Sequence, residues 1–282
     1  MFFAWISSIL YGANGVFGKF NSKYTIKNPW LLNFFWSFIE LIIITSVSLI
    51  SGGGFPINLL NVLFAALFQF LSFVLYVFCL YKFDVSIMVP MFSLRSVFSI
   101  ILSYLILHYT MDPYKYFLAG IIIIFGFFVN YDEKLKLKAF FKKDILLLMA
   151  LMLDLASLGI AVNKSVAVNG YWTTTLWMNA ISMIALMFTI PLFKKEVPTL
   201  KKSQLLSILG LAVISAVASM AETKAYSINV PVSALIISLP FSLVFLFLVS
   251  VFKPNFLEKN SRKVYAIRIT AAVIMIGCTL LI

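Results

Sequence analysis

VPMFSLRSVFSIIL, residues 89–102, carries Arg95 in a run with no other full charge between Val85 and Tyr109. Read as a helix crossing a bilayer at roughly 1.5 Å per residue, it places Arg95 ~15 Å from the interface, near the midplane. A cation at that depth costs from about 3 kcal/mol to roughly 10, so it needs a partner or access to water. The rest of the chain supports the membrane reading. It is 62% hydrophobic and 11% charged, with 29 phenylalanines and a mean hydropathy of +1.05, whereas a soluble domain has about 25% charged residues. A water-soluble fold has no interior large enough for so much apolar surface, and the chain reads as a polytopic, all-α integral membrane protein.

Ten apolar runs are separated by polar or Gly/Pro punctuation, near 2–20, 30–50, 57–81, 85–108, 114–131, 145–166, 171–192, 204–226, 231–252 and 264–282. The start, MFFAWISSILYG, lacks a basic n-region and a small-residue cleavage site, so the first helix is expected to be retained. Lysine and arginine set the orientation. Sixteen of them lie on the face holding the loops after runs 1, 3, 5, 7 and 9, against Lys115 alone on the other. The positive-inside rule makes the first face cytoplasmic and puts both termini on the non-cytoplasmic side of a multi-pass protein of the cell membrane.

The basic segment 132–144 divides the chain into residues 1–131 and 145–282. The halves are weakly alike: FDVSIMVPMFSLRSVF (83–98) is similar to VPVSALIISLPFSLVF (230–245), and NPWLLNFFW (28–36) to GYWTTTLW (170–177). An odd number of helices per half inverts the second copy, giving ten transmembrane helices in two inverted five-helix repeats. That arrangement places a substrate site between the halves and permits alternating access.

At this point the sequence resembles a known family. LYGANGVFGKF (10–20), VSIMVPMFSLRSVFSIILSYLIL (85–107) and the glycine-containing YFLAGIIIIFGFFV (116–129) are similar to EamA-like members of the drug/metabolite transporter superfamily. The second half repeats the order with SALIISLPFSLVFLFLVSVF (233–252) and AIRITAAVIMIGCTLLI (266–282). The resemblance implies a central cavity lined mainly by helices 1, 3, 4, 6, 8 and 9, with helix 2 peripheral. It also implies substrates such as amino acids, nucleotide sugars, sugar phosphates, choline and drugs. The acidic residue that often ends helices 4 and 9 in the family is absent here, where LILHYTMDP and VSVFKPNFLEK stand, so no coupling role is carried to it.

Deep charges are the sharpest candidates for a substrate site. Arg95, Glu40 in WSFIELIII and Asp154 in LMALMLDLASLG lie about ten residues into their helices, and Glu222 in ASMAETKAYS lies near the end of the eighth. The rival to a site is a structural ion pair, most simply Arg95 with Glu40, or Glu222 with Lys224. Lys19 is expected at the cytoplasmic headgroups, and Arg268 is expected to snorkel to the same face. Gly12, Gly15 and Gly18 recur at every third residue of the first helix and read as a packing face. Pro240 interrupts the ninth run beside Ser242. Tyr11, Trp36, Tyr76, Tyr81, Trp177 and Tyr226 are candidates to stack on a ligand or enclose a cation.

The preferred reading is a secondary transporter of a small polar metabolite, probed first as an amino acid, with Arg95 on its carboxylate and Asp154 or Glu222 on its ammonium. The carboxylates are also candidates for proton coupling. Alternatives are a transporter of choline or another organic cation, in which Arg95 is paired structurally, and a flippase of lipid headgroups. Enzymatic chemistry is not expected, because no nucleophile elbow, phosphate loop or metal-ligand spacing is present. His108 is the only histidine, and Cys79 and Cys278 lie in apolar runs. Neither cofactor, metal nor nucleic acid is expected. The expected partners are the small-molecule substrate and the lipid bilayer, and one chain suffices for a pathway, without excluding a dimer.

Overall fold

The computed structural model describes residues 1–83, 85–128, 145–252 and 262–282. The segment 132–144, expected as a connecting loop, lies outside the described residues, as does KPNFLEK (253–259). The described residues are helical, without strands. In chain order the helices are α1 (Phe2–Phe20), α2 (Pro29–Ile50), α3 (Leu59–Lys82), α4 (Val85–Leu107), α5 (Pro113–Phe128), α6 (Ile145–Asn169), α7 (Tyr171–Met187), α8 (Lys202–Ile228), α9 (Val230–Ile237), α10 (Phe241–Phe252) and α11 (Arg262–Leu280). Helices α9 and α10 are two pieces of the ninth expected helix. Among the described residues, five spans are long and apolar enough to cross a membrane: Pro29–Ile50, Leu59–Lys82, Ile145–Asn169, Lys202–Ile228 and Val230–Val249.

Local chemistry sets the ends. Asn28 caps α2, its Oδ1 accepting from the amides of Trp30 (2.9 Å) and Leu31 (3.4 Å), with Pro29 where a missing N–H costs nothing. Asn229 caps α9 by accepting from Val232 N at 3.1 Å. One expectation is corrected here. The seventh run was read to 192, but α7 stops at Met187 and a 3₁₀ turn covers Ile190–Leu192. Pro191 cannot continue an α-helical ladder, although its neighbours are apolar. The ninth run is broken at Ser238–Pro240. Ser8 of α1 repairs the break, donating to the carbonyl of Ile236 at 2.7 Å.

The polarity is that of a protein whose outer solvent is apolar. On α8, Leu206, Leu209, Val213 and Val217 are exposed, whereas Ser215, Ser219, Glu222 and Tyr226 are buried. Asn14, Asn33 and Gln69 are buried as well. The halves interlock. Helix α3 packs on α6 and α1 on α8, α4 packs on α6 and α1 on both α9 and α10, and α2 and α7 meet face to face. Gly12 makes one of these approaches possible, since a Cβ there would lie 2.5 Å from Phe241 Cβ.

Two further expectations are corrected. Lys19 does not reach headgroups: it is buried, donating to the carbonyls of Leu80 (2.8 Å) and Phe83 (2.7 Å) at the end of α3. Arg268 does not snorkel either, and is buried where α11 meets Leu243 and Val244 of α10.

Candidate substrate cavity

Polar residues spaced along otherwise apolar helices converge on one central cavity. Helix α3 brings Gln69, Ser72 and Tyr76, and α8 brings Ser215, Ser219, Glu222 and Tyr226. Steps of three and four residues put each set on one helix face. Helix α2 adds Trp36, Ser37 and Glu40, α1 adds Tyr11 and Asn14, α4 adds Arg95, and α10 adds Ser242. The cavity encloses about 1090 Å³ of empty space with its open part included, enough for a small metabolite.

Arg95 is engaged through a single terminal nitrogen, while its Nε is buried without a hydrogen-bond partner. The guanidinium Nη2 donates to Glu222 Oε1 and to the hydroxyl of Tyr226, and its charge lies 5.5 Å from the centre of the Tyr226 ring. Tyr11 donates to the other carboxylate oxygen, Glu222 Oε2, at 2.7 Å. Both oxygens of Glu222 are therefore taken. The expected rival pairings are corrected: Arg95 pairs with Glu222, not with Glu40, and Lys224 lies 5.1 Å over the ring of Tyr171 instead of against Glu222.

Glu40 occupies a different wall. It is 2% exposed, beside the hydroxyls of Ser215 and Ser219. Among the described residues no cation lies within ion-pair distance of it. One turn earlier on α2 stands Trp36, edge-on to Tyr76 at 5.9 Å. The indole Nε1 of Trp36 has no hydrogen-bond partner. Glu40, placed on a helix expected to be peripheral, thus faces the cavity.

The remaining candidates separate. Ser242 lines the cavity against α1, its Oγ 3.0 Å from where a Cβ on Gly15 would stand. Asp154 lies behind the wall: its Oδ2 accepts from Ser72 at 2.5 Å, and its Oδ1 has no partner. Tyr81 and Trp177 lie elsewhere. Tyr81 donates to the carbonyl of Ile26 at 2.6 Å, and Trp177 donates to that of Gly54 at 2.8 Å beside Phe55. Both tie connecting segments to helices. The residues that the sequence reading passed over are Gln69, Ser72, Ser215 and Ser219. Their signal was the helical spacing of polar side chains within apolar runs.

The comparisons with known proteins agree with this fold. A solved crystal structure, described only as that of a protein, is 12% identical to this chain. It matches with a TM-score of 0.66 over 98% of this chain and 97% of its own. At that identity the likeness concerns the fold alone. No curated protein matches the chain. Over residues 1–131 the chain matches the EamA-like transporter family, a family of membrane transporters within the drug/metabolite transporter superfamily, as the resemblance implied.

Proposed function

We propose that the protein is a secondary transporter that carries a small organic cation, such as choline or another alkylammonium, through the central cavity by alternating access. The observation that carries this reading is the division of charge. Arg95, Tyr11 and Tyr226 gather on Glu222, so the charge of the guanidinium is already countered from within the protein. Glu40 is the carboxylate left facing the cavity, with Trp36 and Tyr76 beside it. A carboxylate with aromatic faces is the chemistry that receives an alkylammonium. An amino acid's carboxylate would have to compete with Glu222 for the charge of Arg95, and disturbing a buried pair costs more than disturbing a surface one.

Alternating access through inverted repeats is supported by the pattern of packing. Exchanging α1–α5 with α6–α11 in order turns the α3–α6 contact into α8–α1, and α4–α6 into α9 and α10 on α1. Hydrogen bonds follow the same exchange: Lys19 holds Leu80 O, and Asn163 holds Tyr226 O at 2.8 Å. Polar ties join the halves at each end of the bundle. Asn28 bonds Glu196 (2.6 Å) and Gln204 bonds Thr25 (2.5 Å) at one end. Asn58 and Asn169 bond reciprocally at the other, at 2.8 and 3.1 Å. Release of one set while the other holds would open the cavity to one side at a time. In this reading the lysine-rich loops are cytoplasmic and one chain forms the pathway. Counterflow in proteoliposomes with radiolabelled choline, tetramethylammonium and a neutral amino acid tests it. Exchange of the ammonium compounds is expected, and exchange of the amino acid alone would overturn the cation assignment.

A further inference from the structure

The cavity leaves one deep carboxylate out of direct reach. Asp154 is 6% exposed and does not line the cavity, although Leu155 and Leu158 on the same helix do. Its one hydrogen bond comes from the hydroxyl of Ser72, a residue that does line the cavity, and Oδ1 is buried without a partner. A solute bound in the cavity would meet Ser72, not Asp154. A proton is the cation that passes through a serine hydroxyl.

Helices α3, α4, α7, α8 and α9 pack against α6. From α3 the group facing Asp154 is Ser72, and the charged group of α4 in the neighbouring cavity wall is Arg95. From α8 the nearby titratable groups are Glu222 and Tyr226, both already on Arg95. Among the described residues, α7 and α9 turn no charged group toward Asp154. When all are ionised, three carboxylates (Glu40, Asp154 and Glu222) share one guanidinium, an excess of two negative charges. One proton on Asp154 and one monovalent cation beside Glu40 bring the set to neutrality. A neutral set is the least costly to enclose in a low-dielectric interior and carry between its two open states.

We infer that Asp154 and Ser72 form a proton site separate from the substrate site, and that one proton travels with each monovalent organic cation in the same direction. The Ser72 hydroxyl gives its proton to Asp154 Oδ2 and takes another from a hydronium ion in the cavity, which is left as water, so one proton moves and the serine is unchanged. Release on the other side reverses both transfers. The inference rests on the cation reading above and can fail separately from it.

The test uses proteoliposomes of the full chain with radiolabelled choline as probe. In the wild type, an inward proton gradient should accumulate choline, and unbuffered vesicles should take up one proton per choline, read with an entrapped pH dye. In Asp154→Asn, choline counterflow should persist while gradient-driven accumulation falls to the level of empty vesicles. If the wild type exchanges choline but a proton gradient drives nothing, or a sodium gradient drives accumulation instead, the proton site is wrong and the transporter reading stands. If folded Asp154→Asn still accumulates choline on a proton gradient, or loses counterflow as well, the assignment of Asp154 to the proton is overturned. If the wild type exchanges no ammonium compound, the reading beneath it has failed. Should Asp154→Asn not fold, the proton count in the wild type decides alone.

Discussion

Two walls of one cavity hold a glutamate each, and they are built for opposite purposes. On α8, Glu222 is saturated: Arg95 takes one oxygen and Tyr11 the other. On α2, Glu40 has serine hydroxyls and aromatic edges around it and no cation among the described residues. The difference teaches that a deep charge is not by itself a binding group. A carboxylate whose hydrogen bonds are filled from the protein stabilises the bundle, and one whose counter-charge is missing is available to a ligand.

The comparison can be broken most severely from the saturated side. Glu222→Ala strands Arg95 in the interior and should lower stability by about 3–5 kcal/mol, measured by thermal unfolding of the purified protein in detergent. If instead Glu222→Ala unfolds like the wild type and loses ligand binding, the roles of the two walls are reversed. On the other wall, Glu40→Gln keeps the shape and removes the charge. It should weaken choline binding by about 1.5–3 kcal/mol, the worth of a charged contact, in a calorimetric titration, with the unfolding midpoint nearly unchanged. Gly12→Val pushes α1 off α10 beside Tyr11, since a Cβ already meets Phe241. Overpacking of this kind costs ~1–3 kcal/mol and should loosen the Tyr11–Glu222 contact. The smallest effect is expected from Tyr81→Phe, which loses the bond to Ile26 O. It should cost ~1 kcal/mol in stability and leave choline affinity where it was, which separates an aromatic of the frame from those of the cavity.

Much of the fold was legible because an apolar solvent leaves a coarse signal. The ten apolar runs correspond to ten helical rods among the described residues, with the first run matching α1 to the residue. Pro240 announced the interruption of the ninth, and Pro191 ended the seventh early while its apolar neighbours hid the stop. The charges of the cavity were legible for the same reason: Arg95, Glu40 and Glu222 stand alone in apolar surroundings. Their pairing was not. Arg95 and Glu222 are 127 residues apart, in different halves, and the nearer glutamate in sequence is the wrong one. Aromatics were legible only in part because they are everywhere in the chain: Tyr11, Trp36, Tyr76 and Tyr226 line the cavity, whereas Tyr81 and Trp177 serve backbone carbonyls outside it. The serines of α3 and α8 were legible only as a period. Single hydroxyls carry no alarm in an apolar helix, yet Ser215, Ser219, Glu222 and Tyr226 fall on one face. Lys19 misled because it ends its helix, where headgroups are the usual partners of a lysine, yet the carbonyls closing α3 lie nearer.

The central claim is that Glu40, and not Arg95, receives the substrate. Counterflow of radiolabelled choline into proteoliposomes, with wild type and Glu40→Gln reconstituted at equal amounts, tests it most directly. The account predicts exchange by the wild type and none above empty vesicles by the folded variant. Exchange by Glu40→Gln at the wild-type rate would contradict it.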